Sequence, residues 1–145
     1  MSNDRRHMHL LPFTLVFAGS VLSAAAQAQE GAAIRQQCGS GQSHPEIRLC
    51  IQTKAEASAR ELRQIEDEMR KSLTTWDQEA EYIRRSKISF DKSVTEFARH
   101  RVRHCEFLSS LAAGGNSQGD LRLSCVYELN TKRILQIQQA KSALR

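Results

Sequence analysis

The residues with the clearest capacity for chemistry lie in one basic stretch, from Phe97 to Phe107. His100 and His104 are four residues apart, so on a helix both rings would share a face and could ligate zinc or copper. Cys105 follows directly, but a cysteine held in a disulfide cannot ligate, and no carboxylate at a matching spacing completes the ligand set. Because a bare pair of histidines is a weak motif, we interpret both as solvated residues and predict no metal site and no cofactor.

The same stretch carries a cluster of three arginines, Arg99, Arg101 and Arg103. The cluster precedes a predicted helix end, where the helix macrodipole favours cations, and this is a sufficient structural reason for it. The functional alternative is a patch that faces a carboxylate-lined cleft or an anionic polymer of the cell envelope. Arg101 differs from its neighbours because it approaches the apolar stripe of the helix and needs a partner there. Glu46, Glu106 and backbone carbonyls of the following loop are the candidates.

A glycine-rich loop follows, from Gly114 to Gly119, with one cysteine before it and one after it. The loop could be a plain connector, but small polar residues bracketed by cysteines also suit insertion into the groove of a partner protein. The sequence contains no nucleophile–base pair, phosphate-binding loop, pair of catalytic carboxylates or haem-attachment motif. We therefore predict a binding protein and not an enzyme.

Residues 1–28 are predicted to be a signal peptide. Two arginines precede an apolar run from Leu10 to Leu22, and Ala26-Gln27-Ala28 supplies the small-x-small cleavage pattern. The run is shorter than the roughly 20 apolar residues of a transmembrane helix, so we expect a periplasmic or secreted protein without a stable membrane anchor. Cleavage removes two arginines and one aspartate and lowers the net charge from +5 to +4. Such a charge does not indicate nucleic-acid binding.

Residues 29–145 are expected to form one helical domain that begins with a short arm. Ser43 and Glu46 form a capping box at the start of the first long helix, and Pro45 suits its first turn. From Ile47 to Leu73, apolar residues recur at steps of three and four, which indicates a helix. Counted from its start at Ser43, this helix is predicted to be about 45 Å long at 1.5 Å per residue. No strand pattern is present.

Two further helices complete the predicted bundle. Asp77 is the expected cap of the second helix, whose apolar stripe runs from Ile83 to Leu108, and Asp120 is the expected cap of the third. The inward residues predicted for the third helix are Leu123, Val126, Ile134, Ile137, Ala140 and Leu144. Similar helix lengths and short connections favour an antiparallel bundle of three long helices. Trp76 either fills the turn between the first two helices or is an exposed anchor residue, and we favour the first.

Four cysteines in an exported chain of this size indicate two disulfides. An up-down-up bundle places Cys50, Cys105 and Cys125 at one end, and Cys38 on the arm can reach the same end. All three pairings are therefore open. We favour Cys38–Cys50 with Cys105–Cys125 because both close short local loops, each contributing on the order of 3 kcal/mol to stability.

Most of the chain, from Cys38 to Ile137, resembles the LprI-like family of small exported proteins, which takes its name from a lysozyme inhibitor. The usual pattern of that family is an aromatic residue, Arg-Asp-x-x-Cys, a Gly-Gly-Ser loop, a second cysteine and Leu-Thr-x-x-Arg. The residues that match it here are Phe97, Arg101, Cys105, Gly114, Gly115, Cys125, Leu129 and Arg133. The departures are Val102, Asn116 and Asn130 for the aspartate, serine and threonine, and Ala59 where an aspartate is common.

The resemblance implies that residues 29–145 bind a protein partner, a lysozyme, and occlude its active-site cleft. In this hypothesis the glycine-rich loop meets the carboxylate-bearing cleft with Arg101 or Arg103 near it. The predicted partner-binding residues are Arg99, Arg101, Arg103, Gly114, Gly115, Asn116, Ser117 and Arg133. The alternative is a structural or interaction protein of the cell envelope that uses its basic helix face and does not inhibit lysozyme.

Overall fold

A computed structural model describes residues 32–39 and 43–144, and this part of the chain is helical without any strand. The four helices are α1 (Ala32–Gly39), α2 (His44–Thr74), α3 (Ala80–Ser110) and α4 (Gln118–Ser142). The three long helices that the sequence predicts are confirmed, but the predicted arm contains a further helix, α1. The predicted signal peptide lies outside the described residues.

Helix α2 begins as its capping sequence predicts. The Glu46 carboxylate accepts hydrogen bonds from the backbone N–H and the hydroxyl of Ser43, both at 2.8 Å. These bonds favour the ionised carboxylate and hold the pKa of Glu46 below its usual value. The capping interaction therefore fixes the residue at which α2 begins.

The long helices run up, down and up. Helices α2 and α4 are parallel, and α4 packs against both α2 and α3 more extensively than those two pack against each other. Three pairs join α2 to α4 along their length at sequence separations of 72, 72 and 73 residues, namely Arg48–Asp120, Ser58–Asn130 and Glu68–Lys141. The weaker pairing of α2 with α3 leaves a cleft between them.

The core forms two clusters. The larger one holds α2 and α4 together through Leu62, Ile65, Met69, Leu73, Ile134 and Ile137, with Trp76, Phe90, Phe97 and Leu144 packed against it. Trp76, in the turn between α2 and α3, thus packs against this cluster as predicted. The smaller one buries Ile34 and Cys38 of α1 against Ile51, with Leu123 and Tyr127 of α4 beside them. Helix α1 is therefore held by packing at the end of the bundle where α4 begins.

The disulfides pair Cys38 with Cys50 and Cys105 with Cys125, as the sequence analysis favoured. Their Cα–Cα distances are 5.8 and 5.5 Å. The first joins α1 to the start of α2, and the second joins the end of α3 to the start of α4. The prediction that the disulfides staple one end of the bundle is confirmed.

Some local predictions are wrong. Asp77 does not cap α3, which begins at Ala80 after Glu79, because the chain first makes a turn in which the N–H of Gln78 donates to the carbonyl of Trp76. Asp120 does not cap α4 either, since that helix begins at Gln118 and Asp120 is buried in its first turn. Ala140, expected to face inward, is exposed.

Candidate functional site

The loop between α3 and α4 is an exposed, tightly turned segment. Ala113 and Gly114 have φ angles of 49° and 79°, in the left-handed region that glycine adopts without steric cost. The N–H of Gly115 donates to the carbonyl of Ala112 at 2.9 Å, and the N–H of Gln118 donates to the carbonyl of Gly115 at 3.1 Å. Residues 113–119 are all exposed. Residues 111–117 therefore form a hydrogen-bonded turn at the disulfide-linked end, and the last two residues of the predicted loop, Gln118 and Gly119, belong to α4.

Arg48 of α2 ties this loop to the bundle. Its Nη2 donates to the backbone carbonyl of Asn116 at 2.9 Å, and its Nε donates to Oδ1 of Asp120 at 3.1 Å. The Asp120 side chain is buried, whereas half of the Arg48 side chain remains exposed. Sequence reasoning missed Arg48 because its two contacts lie 68 and 72 residues away. Only the parallel register of α2 and α4 brings them together.

The three arginines of α3 do not form one surface. Arg99 and Arg103 are exposed on the same face, and Arg99 pairs with Glu96 one turn before it at 2.9 Å. Arg101 points to the opposite side and is partly buried, and its burial lowers the pKa of its guanidinium. It lies nine residues before the end of α3, about 14 Å from the loop at 1.5 Å per residue.

Asn130 is the partner that Arg101 requires, in place of the candidates named from the sequence. Nη1 of Arg101 donates to Oδ1 of Asn130 at 2.6 Å, and Nδ2 of Asn130 donates to the hydroxyl of Ser58 at 3.0 Å. The Ser58 hydroxyl in turn donates to the carbonyl of Ala55 at 2.8 Å. Asn130 is fully buried, so this chain of hydrogen bonds links all three long helices through the core.

Arg133 also faces inward. Its Nη2 donates to the hydroxyl of Ser93 on α3 at 2.7 Å, and its buried Nε has no hydrogen-bond partner among the described residues. The ring of Phe97 contacts two guanidiniums, with its centroid 5.5 Å from Cζ of Arg133 and 5.7 Å from Cζ of Arg101. Both arginines therefore stabilise the contact between α3 and α4.

A family model described as lysozyme inhibitor LprI matches residues 35–137, which is more than two thirds of the chain. The chain belongs to the lysozyme inhibitor LprI family. The matched range includes all four cysteines, the loop and both inward arginines. No curated protein matches this chain, and no solved structure matches it.

In this LprI family member, Glu66 is a largely buried titratable residue of α2. The residue is 8 % exposed, and its carboxylate makes no hydrogen bond or ion pair with the described residues. Burial raises the pKa of Glu66, and the charges of Arg70, Arg133 and Arg101 offset this only in part. Sequence reasoning missed Glu66, although it follows Leu62 by four residues and precedes Met69 by three, on the predicted apolar face.

Glu66 lines the cleft between α2 and α3, which has a volume of about 130 Å³. Arg63 and Ala59 belong to the α2 wall, and Phe97 and Arg101 belong to the α3 wall. The cleft thus combines one carboxylate and two guanidiniums with an aromatic surface. None of these groups except Arg101 was singled out as a site residue from the sequence.

His100 and His104 stack on each other, with ring centroids 5.3 Å apart. Within the described ranges, no three histidine, cysteine, aspartate or glutamate side chains are arranged to hold a metal ion. Among the described helices, none combines the length and apolar character needed to cross a membrane.

Proposed function

We propose that this protein is an exported inhibitor that binds a lysozyme and covers its active-site cleft with the loop between α3 and α4. The observation that carries the proposal is membership of the lysozyme inhibitor LprI family over residues 35–137. The exposure of residues 113–119 at the disulfide-linked end supports the choice of binding surface.

The anchoring of the loop supports this role physically. The Cys105–Cys125 disulfide joins the helices on either side of the loop, and Arg48 holds its centre at the carbonyl of Asn116. An ordered loop loses less conformational entropy when it binds, so more of its contact energy contributes to affinity.

The inward position of Arg101 and Arg133 changes their proposed role. Both guanidiniums are engaged within the bundle, so we assign them to the support of the α3–α4 contact and not to direct contact with the enzyme. Of the predicted partner-binding residues, the loop from Gly114 to Ser117 and the exposed Arg103 remain in the proposed interface. The net charge of +4 that remains after removal of the predicted signal peptide provides no long-range attraction to a basic lysozyme, so affinity must come from local contacts.

The test is the rate at which lysozyme clears a suspension of bacterial cell walls, with and without the purified protein. A lysozyme cleft carries two catalytic carboxyl groups, so a carboxylate introduced at the tip of the loop should repel them. We expect Asn116→Asp to weaken inhibition at least about tenfold, since like charges placed together in an interface cost several kcal/mol.

Gln78→Glu is the matched control, because it makes the same amide-to-acid change in the exposed turn between α2 and α3, at the other end of the bundle. It should inhibit like the unmodified protein. If micromolar protein leaves wall lysis unchanged, the lysozyme proposal is wrong. Equal weakening by both variants would place the interface away from the loop.

A second candidate function is favoured by the outward position of Arg99 and Arg103, which border a shallow surface groove with the exposed Val102. This face could bind another protein of the cell envelope. Recovery of a non-lysozyme partner from periplasmic extract by the unmodified protein, and its loss with Arg99→Glu/Arg103→Glu, would support this function over the first.

A further inference from the structure

The cleft between α2 and α3 is a small, charged space within the helical body, separate from the loop. Its volume of about 130 Å³ equals roughly four water molecules at about 30 Å³ each. Pockets for drug-sized ligands are typically about 300–1,000 Å³. Only a compact molecule would fit inside it.

The inner wall of the cleft presents a carboxylate that lacks a donor. Glu66 is more than nine-tenths buried, and no described residue donates a hydrogen bond to it. A buried carboxylate without hydrogen bonds is unfavourable, so an ammonium group placed in the cleft would satisfy it.

The opposite wall presents guanidinium donors. Arg101 uses Nη1 for Asn130, and its Nε and Nη2 make no hydrogen bond to the described residues. These two nitrogens form one edge of the guanidinium, which is the geometry that binds both oxygens of a carboxylate. Arg63 adds a second positive charge at the rim, close enough to disfavour the charged form of Arg101.

We infer that this cleft binds a small α-amino acid, with its ammonium group at Glu66, its carboxylate at Arg101 and its side chain beside Phe97. A simple carboxylate would leave Glu66 unmatched, and a simple amine would leave Arg101 unmatched. Of these three ligand types, only the zwitterion pairs with both Glu66 and Arg101. This inference does not depend on lysozyme binding.

The experiment is an NMR titration of the ¹⁵N-labelled protein with alanine, acetate and methylammonium, followed through the amide signals of the cleft. We expect alanine to bind at least about tenfold more tightly than either single-charge ligand, since it makes both charge-assisted interactions. Glu66→Gln should weaken alanine binding about tenfold, and Ala59→Leu should abolish it by filling the cleft.

Two exposed positions on the same helix provide matched controls, Glu61→Gln and Ala57→Leu. Both should bind alanine like the unmodified protein, and circular dichroism checks that every variant is folded. The inference is overturned if alanine binds no better than acetate, or if Ala59→Leu binds alanine normally. It is equally overturned if no ligand shifts the cleft signals, which would mean that the cleft holds water only. The wall-lysis assay is read separately, so the two proposals can fail independently.

Discussion

Asn130 should be among the residues on which the fold depends most, although a buried amide is not an obvious core residue. Asn130→Ala removes the acceptor of the Arg101 guanidinium and the donor to Ser58. A hydrogen bond to a charged group contributes about 1.5–3 kcal/mol and a neutral one about 0.5–1.5 kcal/mol. Arg101 is only partly buried, which favours the lower part of the first range.

Together with the small cavity left behind, we expect Asn130→Ala to lower the free energy of unfolding by about 3 kcal/mol. For a domain of this size, that corresponds to a fall in Tm on the order of 10 °C. Urea unfolding followed by circular dichroism measures the loss, provided that the denaturant slope is unchanged. A double-mutant cycle with Arg101→Met isolates the bond itself, whose coupling energy should be about 1.5 kcal/mol or more.

Asn116→Ala is the matched control, because this amide side chain is exposed in the loop while its backbone carbonyl remains available to Arg48. Its effect should stay within about 0.5 kcal/mol. A loss below about 1 kcal/mol for Asn130→Ala, or a coupling energy near zero, would refute the inward assignment of Arg101. Arg101 would then again be a candidate for direct contact with a partner, as the sequence predicts.

Two further predictions concern Arg48 and Glu66. Arg48→Met should lower the free energy of unfolding by about 1–2 kcal/mol, a value discounted because the arginine is half exposed. The loop of this variant should also be cleaved faster in limited proteolysis. An unchanged cleavage rate would contradict the role of Arg48 in holding the loop. Because burial raises the pKa of Glu66 above 4.5, the ionised group destabilises the fold at neutral pH and the cost disappears as the pH falls below 4.5. Glu66→Gln should therefore raise the urea midpoint at pH 7 and lose this advantage in acid, and an equal gain at both pH values would contradict the burial argument.

The periodicity of the sequence was sufficient to predict α2, α3 and α4, since each carries apolar residues at helical spacing along one face. It could not predict α1, because eight residues are too few to form a helix without support. Packing of Ile34 and Cys38, together with the disulfide to Cys50, provides that support. The missing helix thus reflects a tertiary interaction and not a local preference.

The polar interior was harder to predict for a related reason. Asn130 follows Val126 by four residues and precedes Ile134 by four, so its position on the inward stripe was visible in the sequence. Which group it would contact was not visible, since Arg101 and Ser58 belong to other helices. The need of Arg101 for a partner could be stated from the sequence, but the partner depends on how α3 is aligned with α4.

The constraints on the loop decide whether it can serve as an inhibitory surface at all. The loop between α3 and α4 comprises the seven residues 111–117, and fixing one backbone residue costs about 1–2 kcal/mol, so ordering a free loop would cost about 7–14 kcal/mol. The entire binding free energy of a micromolar complex is only about −8.2 kcal/mol. For a mobile loop, the free-energy cost of ordering would therefore offset most or all of the favourable binding free energy. The disulfide and the Arg48 contact impose much of that order when the protein folds, so under the proposed function Arg48 would support the binding surface through its effect on the loop.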